Sequence, residues 1–336
     1  MQAIFQKLYE SKRLFLDESQ TLFSSIAKGE LSHTQLALAL ICLKLRGETP
    51  EEIAGAARSF LAVVKPFPRP DYAFTDIVGT GGDGANTVNI STASALVAAS
   101  CGVKVAKHGN RAVSSLTGSS DLLAKLGVNL NATPEASRQM LDEHNICFLF
   151  APQYHEGFKY AAKVRKELGT RTIFNVLGPL VNPARPPFTL IGVYNKRLVR
   201  PIAETLALLG YQRAIVVYGS GIDEVALHGK TTVAELRDGI ISDYEITPQQ
   251  VGFPCAPLSA LRGGTPEENC QSLLTLLRGN APQAHAHSVA MNVAMLLKLF
   301  GHDDIKQNAE RALEAIHHGQ ALSLLNAITQ PRGELR

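Results

Sequence analysis

The sequence predicts an α/β protein: a small N-terminal all-helical domain, then a large α/β domain with a mainly parallel central sheet and flanking helices. Three observations carry this expectation. Residues 1–65 place apolar side chains at helical spacing. Pro66, Pro68 and Pro70 then interrupt the chain in KPFPRPDY, which reads as a linker. From Tyr72 onward, short apolar runs alternate with helical segments. The expected domains are 1–70, completed by residues 156–182, and 71–336.

In the first domain Ile4, Leu8, Phe15, Leu22, Phe23 and Ile26 recur on a helical face. Ser32 is placed to cap LSHTQLALALICLKLRG, and Gly47 to stop it. Thr49 caps the next helix, with Pro50 at its first position. In the second domain AFTDIV, VKVAKHG, ICFLFAP, FTLIGVYN and RAIVVYG read as buried strands. STASALVAASCG, SSDLLAKLG, PIAETLALLG and ENCQSLLTLLRG read as helices between or after them. VAELRDGIISDYEI is different: Asp238-Gly239 between apolar runs predicts an antiparallel hairpin. Residues 156–182 are helical and then rich in Pro and Gly, suited to pack back on the N-terminal helices.

Composition excludes several classes. The 336 residues carry 33 Lys plus Arg and 30 Asp plus Glu, a net charge of +3, so bulk charge indicates neither a nucleic-acid nor a membrane partner. Hydrophobic residues at 45% and charged residues at 19% are globular, not disordered, values. MQAIFQKLYESKRLF has no uninterrupted apolar core of the kind a secretory signal needs. No apolar run approaches the roughly 18 residues that span a bilayer. Cys42, Cys101, Cys147, Cys255 and Cys270 are scattered, without a CxxC. They read as free thiols in a reducing compartment, hence the cytoplasm, and each as a small buried hydrophobe.

Three loops carry the chemistry. In the first, Gly79, Gly81, Gly82 and Gly84 follow a strand and precede a helix near Ser91. Glycines let backbone N–H groups approach an anion, and the helix start adds unpaired donors. Asp83, Thr87, Asn89, Ser91 and Thr92 add side-chain groups on the same stretch. The alternative is a tight turn with Asn89 or Ser91 as a plain cap. In the second loop Lys107, His108, Gly109, Asn110 and Arg111 follow a strand, and Ser119 or Ser120 caps the next helix. Lys107 suits phosphate as a mobile point charge, while His108 and Asn110 can orient a planar substrate. The alternative is a solvated Lys107–Arg111 pair. In the third loop Asp223 and Glu224 follow the strand RAIVVYG. Mg²⁺ takes one or two carboxylates plus substrate phosphates, so this pair suits it; the alternative is an acidic helix start. Ligands of open α/β sheets bind beyond the carboxyl ends of the strands, which is where all three loops fall.

GTGGD (79–83), NIST (89–92), KHGNRAVSS (107–115), GPLVNP (178–183) and the Asp223-Glu224 pair together resemble the anthranilate phosphoribosyltransferases, along essentially the whole chain. KHGNR with SS also occurs in pyrimidine nucleoside phosphorylases, which share the fold; the metal pair and GTGGD discriminate. A nucleic-acid-binding paralogue of the fold is a further alternative, disfavoured by +3 and intact loops. The resemblance implies phosphoribosyl pyrophosphate contacts at Gly79, Gly82, Asp83, Thr87, Asn89, Ile90, Ser91 and Thr92. It implies substrate binding also at Lys107, His108, Gly109, Asn110, Arg111, Ala112, Val113, Ser114, Ser115 and Ser119, with Lys107 on the diphosphate and His108 positioning the acceptor. It implies anthranilate contacts at Asn110 and Arg165, and Mg²⁺ at Ser91, Asp223 and Glu224. Lys107, Asp83 and Arg165 take the catalytic roles. It also implies a homodimer and a place in tryptophan biosynthesis, with anthranilate synthase as a partner. Outside these loops, His285 and His287 do not share a helix face, and Met291, Met295 and Leu299 read as core.

Overall fold

The computed structural model describes residues 1–111 and 118–329. Helices Gln2–Tyr9, Leu16–Ala27, His33–Arg46 and Pro50–Ala62 form the N-terminal part. Ser32 and Thr49 cap as expected: each side chain accepts the N–H three residues on, and Gly47 ends its helix at φ +87°. Ile4, Leu8, Leu22, Phe23 and Ile26 are buried. Phe15 is not. It is the residue before the second helix and 69% exposed, with the Lys7 ammonium 4.7 Å from its ring centre. Being outside the helix, it leaves the apolar face that its spacing suggests.

The sheet comprises β1 (Thr75–Gly79), β2 (Val105–Gly109), β3 (Ile146–Phe150), β4 (Phe188–Gly192), β5 (Arg213–Tyr218), β6 (Thr231–Arg237) and β7 (Ile240–Ile246). Their spatial order is β3-β2-β1-β4-β5-β6-β7; the first five are parallel and the last two antiparallel. Every strand read from sequence is present. Asp238 and Gly239 alone connect β6 to β7, at φ +53° and +79°, the left-handed pair that such a two-residue turn requires.

One face of the sheet, with Ile77, Leu190, Ile215 and Val217, buries helices Ile90–Ser100, Gln283–Leu299 and Ile305–His317. Met291, Met295 and Leu299 lie in that core. The other face, with Ile191, Ala214 and Val216, shares a core with the N-terminal helices. Ala161, Val164, Ile173, Phe174 and Leu180 belong to the same core. The long β3–β4 connection therefore wedges between sheet and helical bundle. Among the described residues no helix is long and apolar enough to cross a membrane. All five cysteines are free. Cys101 and Cys147 are buried, but Cys255 is exposed, because it lies in an irregular surface segment after Pro254.

Candidate active site

The order of the parallel strands reverses between β1 and β4, the switch point where a crevice opens in such sheets. Gly79 and Gly192 pair there as the last residues of the two strands. The segment after β5 crosses directly over them. A Cβ on Gly192 would fall 1.5 Å from the Asp223 carbonyl oxygen, and one on Gly79 2.2 Å from Asp223 Oδ2. Two strand-terminal glycines thus admit the acidic segment to the crevice. No helix begins at Asp223-Glu224, which sets aside the helix-start alternative.

The glycine loop is clamped from several sides. Thr80 N–H donates to the Gly192 carbonyl at 2.9 Å, and Thr80 Oγ1 accepts from Tyr194 N–H at 3.0 Å. Gly81 N–H donates to Asp223 Oδ2 at 2.6 Å. The Gly82 carbonyl accepts from the Arg171 guanidinium. With Gly81, Gly82 and Gly84 all at positive φ, the N–H groups of Gly82, Asp83 and Gly84 find no partner among the described residues. Three neighbouring unpaired donors are available to an anion. Asp83 accepts Ala85 N–H at 3.1 Å and Asp223 N–H at 3.4 Å. Thr87 bridges to Arg262 and so ties the loop's exit to the segment before helix Pro266–Leu277. Asn89 precedes helix Ile90–Ser100, yet its side chain does not cap it, against the plain-cap alternative. Thr92 Oγ1 is buried without a hydrogen-bond partner.

Lys107 is 3% exposed, so the solvated-pair alternative fails for it. Its ammonium donates to the Ile77 carbonyl at 2.6 Å and to Ser91 Oγ at 3.3 Å. Lys107 is the middle residue of β2 rather than part of the loop after it, and its buried ammonium reaches the middle of β1. Burial holds its pKa below the ordinary lysine range, opposed by Asp76, Glu224 and Asp223. Arg111 is exposed, with its guanidinium 5.7 Å from the Phe150 ring. Asp76 is buried in β1 and accepts Asn182 Nδ2 at 2.8 Å and His108 N–H at 3.3 Å. Burial lifts its pKa to about 6 against the pull of Lys107. Asn182 Nδ2 also donates to the Ala106 carbonyl at 2.8 Å. The GPLVNP segment is thereby pinned beside the β2 loop.

From His108, beside Lys107, a chain of largely buried rings runs into the core of the helical bundle. The His108 ring meets the His155 ring edge to face at 5.1 Å. His155 meets Phe158 at 5.4 Å, Phe158 meets Phe174 at 5.7 Å, and the Arg165 guanidinium lies 5.0 Å over Phe174. The Arg165 guanidinium has no carboxylate or hydrogen-bond partner among the described residues. The His108 Nε2 atom and both His155 ring nitrogens are buried without a hydrogen-bond partner. Burial holds His108 well below its ordinary range and His155 down to about 4, so both rings are neutral at pH 7. Neutral imidazoles, aromatic edges and one unpaired guanidinium suit a flat aromatic acid.

Sequence reasoning misses His155, Phe158 and Arg171. His155 and Phe158 fall just past the end of β3, where the rule of strand carboxyl ends would find them. Arg171 carries no local signal. Asn110 is exposed, and its carbonyl accepts Ser120 N–H at 3.3 Å and Ser119 Oγ at 3.4 Å. Helix Ser119–Lys125 begins after Gly118, without a side-chain cap. Ser119 and Ser120 are therefore not the cap expected of them; both already lie within the first turn. Ala112, Val113, Ser114 and Ser115 lie outside the described residues.

The carboxylates fit a divalent cation. Burial, then the neighbouring Asp83, pushes Asp223 up to about 7; burial, then Asp223, pushes Glu224 well above its ordinary range. Such shifts describe crowded anions whose charge a bound cation would relieve. No three acidic, His or Cys side chains among the described residues form a closed metal cage. An open pair is the form Mg²⁺ takes when substrate phosphates and water complete its octahedron. A hollow of about 470 Å³ lined by Cys101, Arg311 and His318 sits at the opposite end of helix Ile90–Ser100 from Ser91.

The chain is similar to known proteins along nearly its whole length. Residues 71–322 match the model of the glycosyl transferase family a/b domain, and residues 2–63 that of its helical bundle domain. Anthranilate phosphoribosyltransferase of Serratia proteamaculans is 62% identical over 328 residues, 98% of this chain and 99% of the relative. That of Yersinia pestis is 60% identical over the same shares of both chains. The solved structure of anthranilate phosphoribosyltransferase from Thermus thermophilus superposes with a TM-score of 0.93 at 41% identity, covering 98% of both chains. The Saccharomyces cerevisiae enzyme, solved in complex with phosphoribosyl pyrophosphate and Mg, gives 0.83 at 32% identity, covering 94% of this chain and 91% of the other. The chain belongs to the glycosyl transferase family and, within it, to the anthranilate phosphoribosyltransferases.

Proposed function

We propose that the chain transfers the 5-phosphoribosyl group of phosphoribosyl pyrophosphate to the amine of anthranilate in tryptophan biosynthesis, releasing pyrophosphate. The observation that carries this reading is the unpaired N–H cradle of Gly82, Asp83 and Gly84, set beside buried Lys107 and the carboxylates. Gly79, Thr87, Asn89, Ile90, Ser91, Thr92, Gly109 and Ser119 complete the donor side. Ser91, Asp223 and Glu224 hold Mg²⁺, which supplies charge neutralisation to the diphosphate when bound. Lys107 stabilises the charge that gathers on the leaving pyrophosphate, and Asp83 anchors the Asp223 segment that serves the metal. The reaction displaces a group at an anomeric carbon, so positive charge develops on the sugar ring. The aromatic amine attacks the opposite face and loses its excess proton afterwards; no strong base is required before attack.

Arg165 binds the anthranilate carboxylate, Asn110 and His108 orient the ring, and His155 with Phe158 walls it in. Much of the rate then comes from holding amine and sugar in line. We also assign residues 1–70 with 156–182 to one helical unit, a homodimer formed through it, a cytoplasmic setting, and anthranilate synthase as a partner. The test is the loss of anthranilate fluorescence on adding phosphoribosyl pyrophosphate, with and without Mg²⁺. Mg²⁺-dependent consumption is expected; folded protein that consumes none overturns the reading.

A further inference from the structure

We propose that Arg171 is a positioning residue for the phosphate cradle, clasping the glycine loop to the helical bundle. The inference rests on the donor-site reading above. Arg171 follows helix Lys159–Leu168, which ends at Gly169 with φ +56°. Its guanidinium donates to the Gly82 carbonyl and lies 4.1 Å over the Tyr194 ring. The main chain of Tyr194 holds the same loop through Thr80. On the bundle side, Lys44 of helix His33–Arg46 donates to the Arg171 carbonyl at 2.9 Å and to the Thr170 hydroxyl. No carboxylate pairs with Arg171 among the described residues.

The chemistry of the peptide unit gives this contact its consequence. Across a trans peptide, C=O and N–H point in opposite directions. Turning the Gly82 carbonyl toward Arg171 therefore aims the Asp83 N–H at the other side of the loop. That N–H is the middle one of the three unpaired donors. A loop with glycine at three positive-φ positions has little conformational preference of its own. An external clasp removes that freedom before ligand arrives, which is preorganisation. Arginine suits the task because its plane can stack on tyrosine while its edge donates; lysine cannot do both.

The test is calorimetric binding of phosphoribosyl pyrophosphate with Mg²⁺ to the wild type, Arg171→Ala, Arg171→Lys and Tyr194→Leu, with steady-state kinetics beside it. The clasp predicts binding weaker by about 10- to 100-fold in Arg171→Ala, the range of a hydrogen bond to a charged group. Lys should restore only part of this, and Tyr194→Leu should lose less than Ala. Guanidinium ion at millimolar concentration should recover binding in Arg171→Ala and not in the wild type, an effect that general destabilisation would not give. The anthranilate KM should stay unchanged. Donor binding unchanged in Arg171→Ala, or weakened without guanidinium recovery, overturns the proposal, as does a rise confined to the anthranilate KM. Wild-type turnover in the same assay reports separately on the reaction: if it fails while donor binding persists, the acceptor reading falls and the clasp is still decided by the binding series.

Discussion

The two walls of the crevice are built in different ways. The proposed donor wall is backbone and charge: a contiguous glycine loop, a lysine within β2 and an adjacent carboxylate pair. The proposed acceptor wall is made of side chains: His108, His155, Phe158, Phe174 and Arg165 touch in series although they come from the β2 end, the β3 end and the helical insertion. A cradle of consecutive main-chain donors is continuous in sequence by construction. A wall made of rings need only converge in space. In the proposed reaction the first serves a ligand whose charge is common to many substrates, and the second selects the particular acceptor.

Variants should separate the walls. The largest effect is expected from Asp223→Asn with Glu224→Gln. Loss of the cation's contribution should cost about 100-fold or more in kcat, with Mg²⁺ dependence abolished, measured by a Mg²⁺ titration of the rate. The fold should survive or gain stability, since the change removes crowded buried anions. Gly192→Ala comes next. Its Cβ would overlap the Asp223 main chain, and overpacking of this kind costs about 1–3 kcal/mol. Calorimetric melting should show that loss, together with a weakened Mg²⁺ response and an unchanged anthranilate KM.

On the acceptor wall, Arg165→Ala should raise the anthranilate KM about 10- to 100-fold, the range of a hydrogen bond to a charged group, and leave the donor KM unchanged. The smallest effect concerns acid. His155 has its folded-state pKa lowered to about 4, so the unfolded chain binds the proton more readily. Its contribution to stability is complete above pH 6.5 and falls as pH drops from there toward 4. His155→Phe should therefore lose less melting temperature than the wild type between pH 7.5 and 5. An equal loss in both would show that the ring is not held neutral.

The same contrast explains what the sequence revealed. The strands, the hairpin at Asp238-Gly239 and the caps at Ser32 and Thr49 are local patterns, and all were legible. The glycines and Asp223-Glu224 were legible as segments past strand ends, whereas Lys107, read as part of a loop, lies within β2. Phe15 was misplaced because helical spacing ran across a helix boundary. Ser119 and Ser120 were misplaced because the helix starts one residue before the hydroxyls would need it to. His155 and Arg171 were invisible for a different reason: their partners are 47 and 89 residues away, His108 and Gly82, and no periodicity encodes a contact across folded segments.

The division between the walls is tested most directly by measuring both KM values in the same two variants, Glu224→Gln and Arg165→Ala. The account predicts a crossed result: the donor KM and Mg²⁺ requirement move only in Glu224→Gln, and the anthranilate KM moves only in Arg165→Ala. Donor binding lost in Arg165→Ala, or anthranilate binding lost in Glu224→Gln with Mg²⁺ dependence intact, would contradict it.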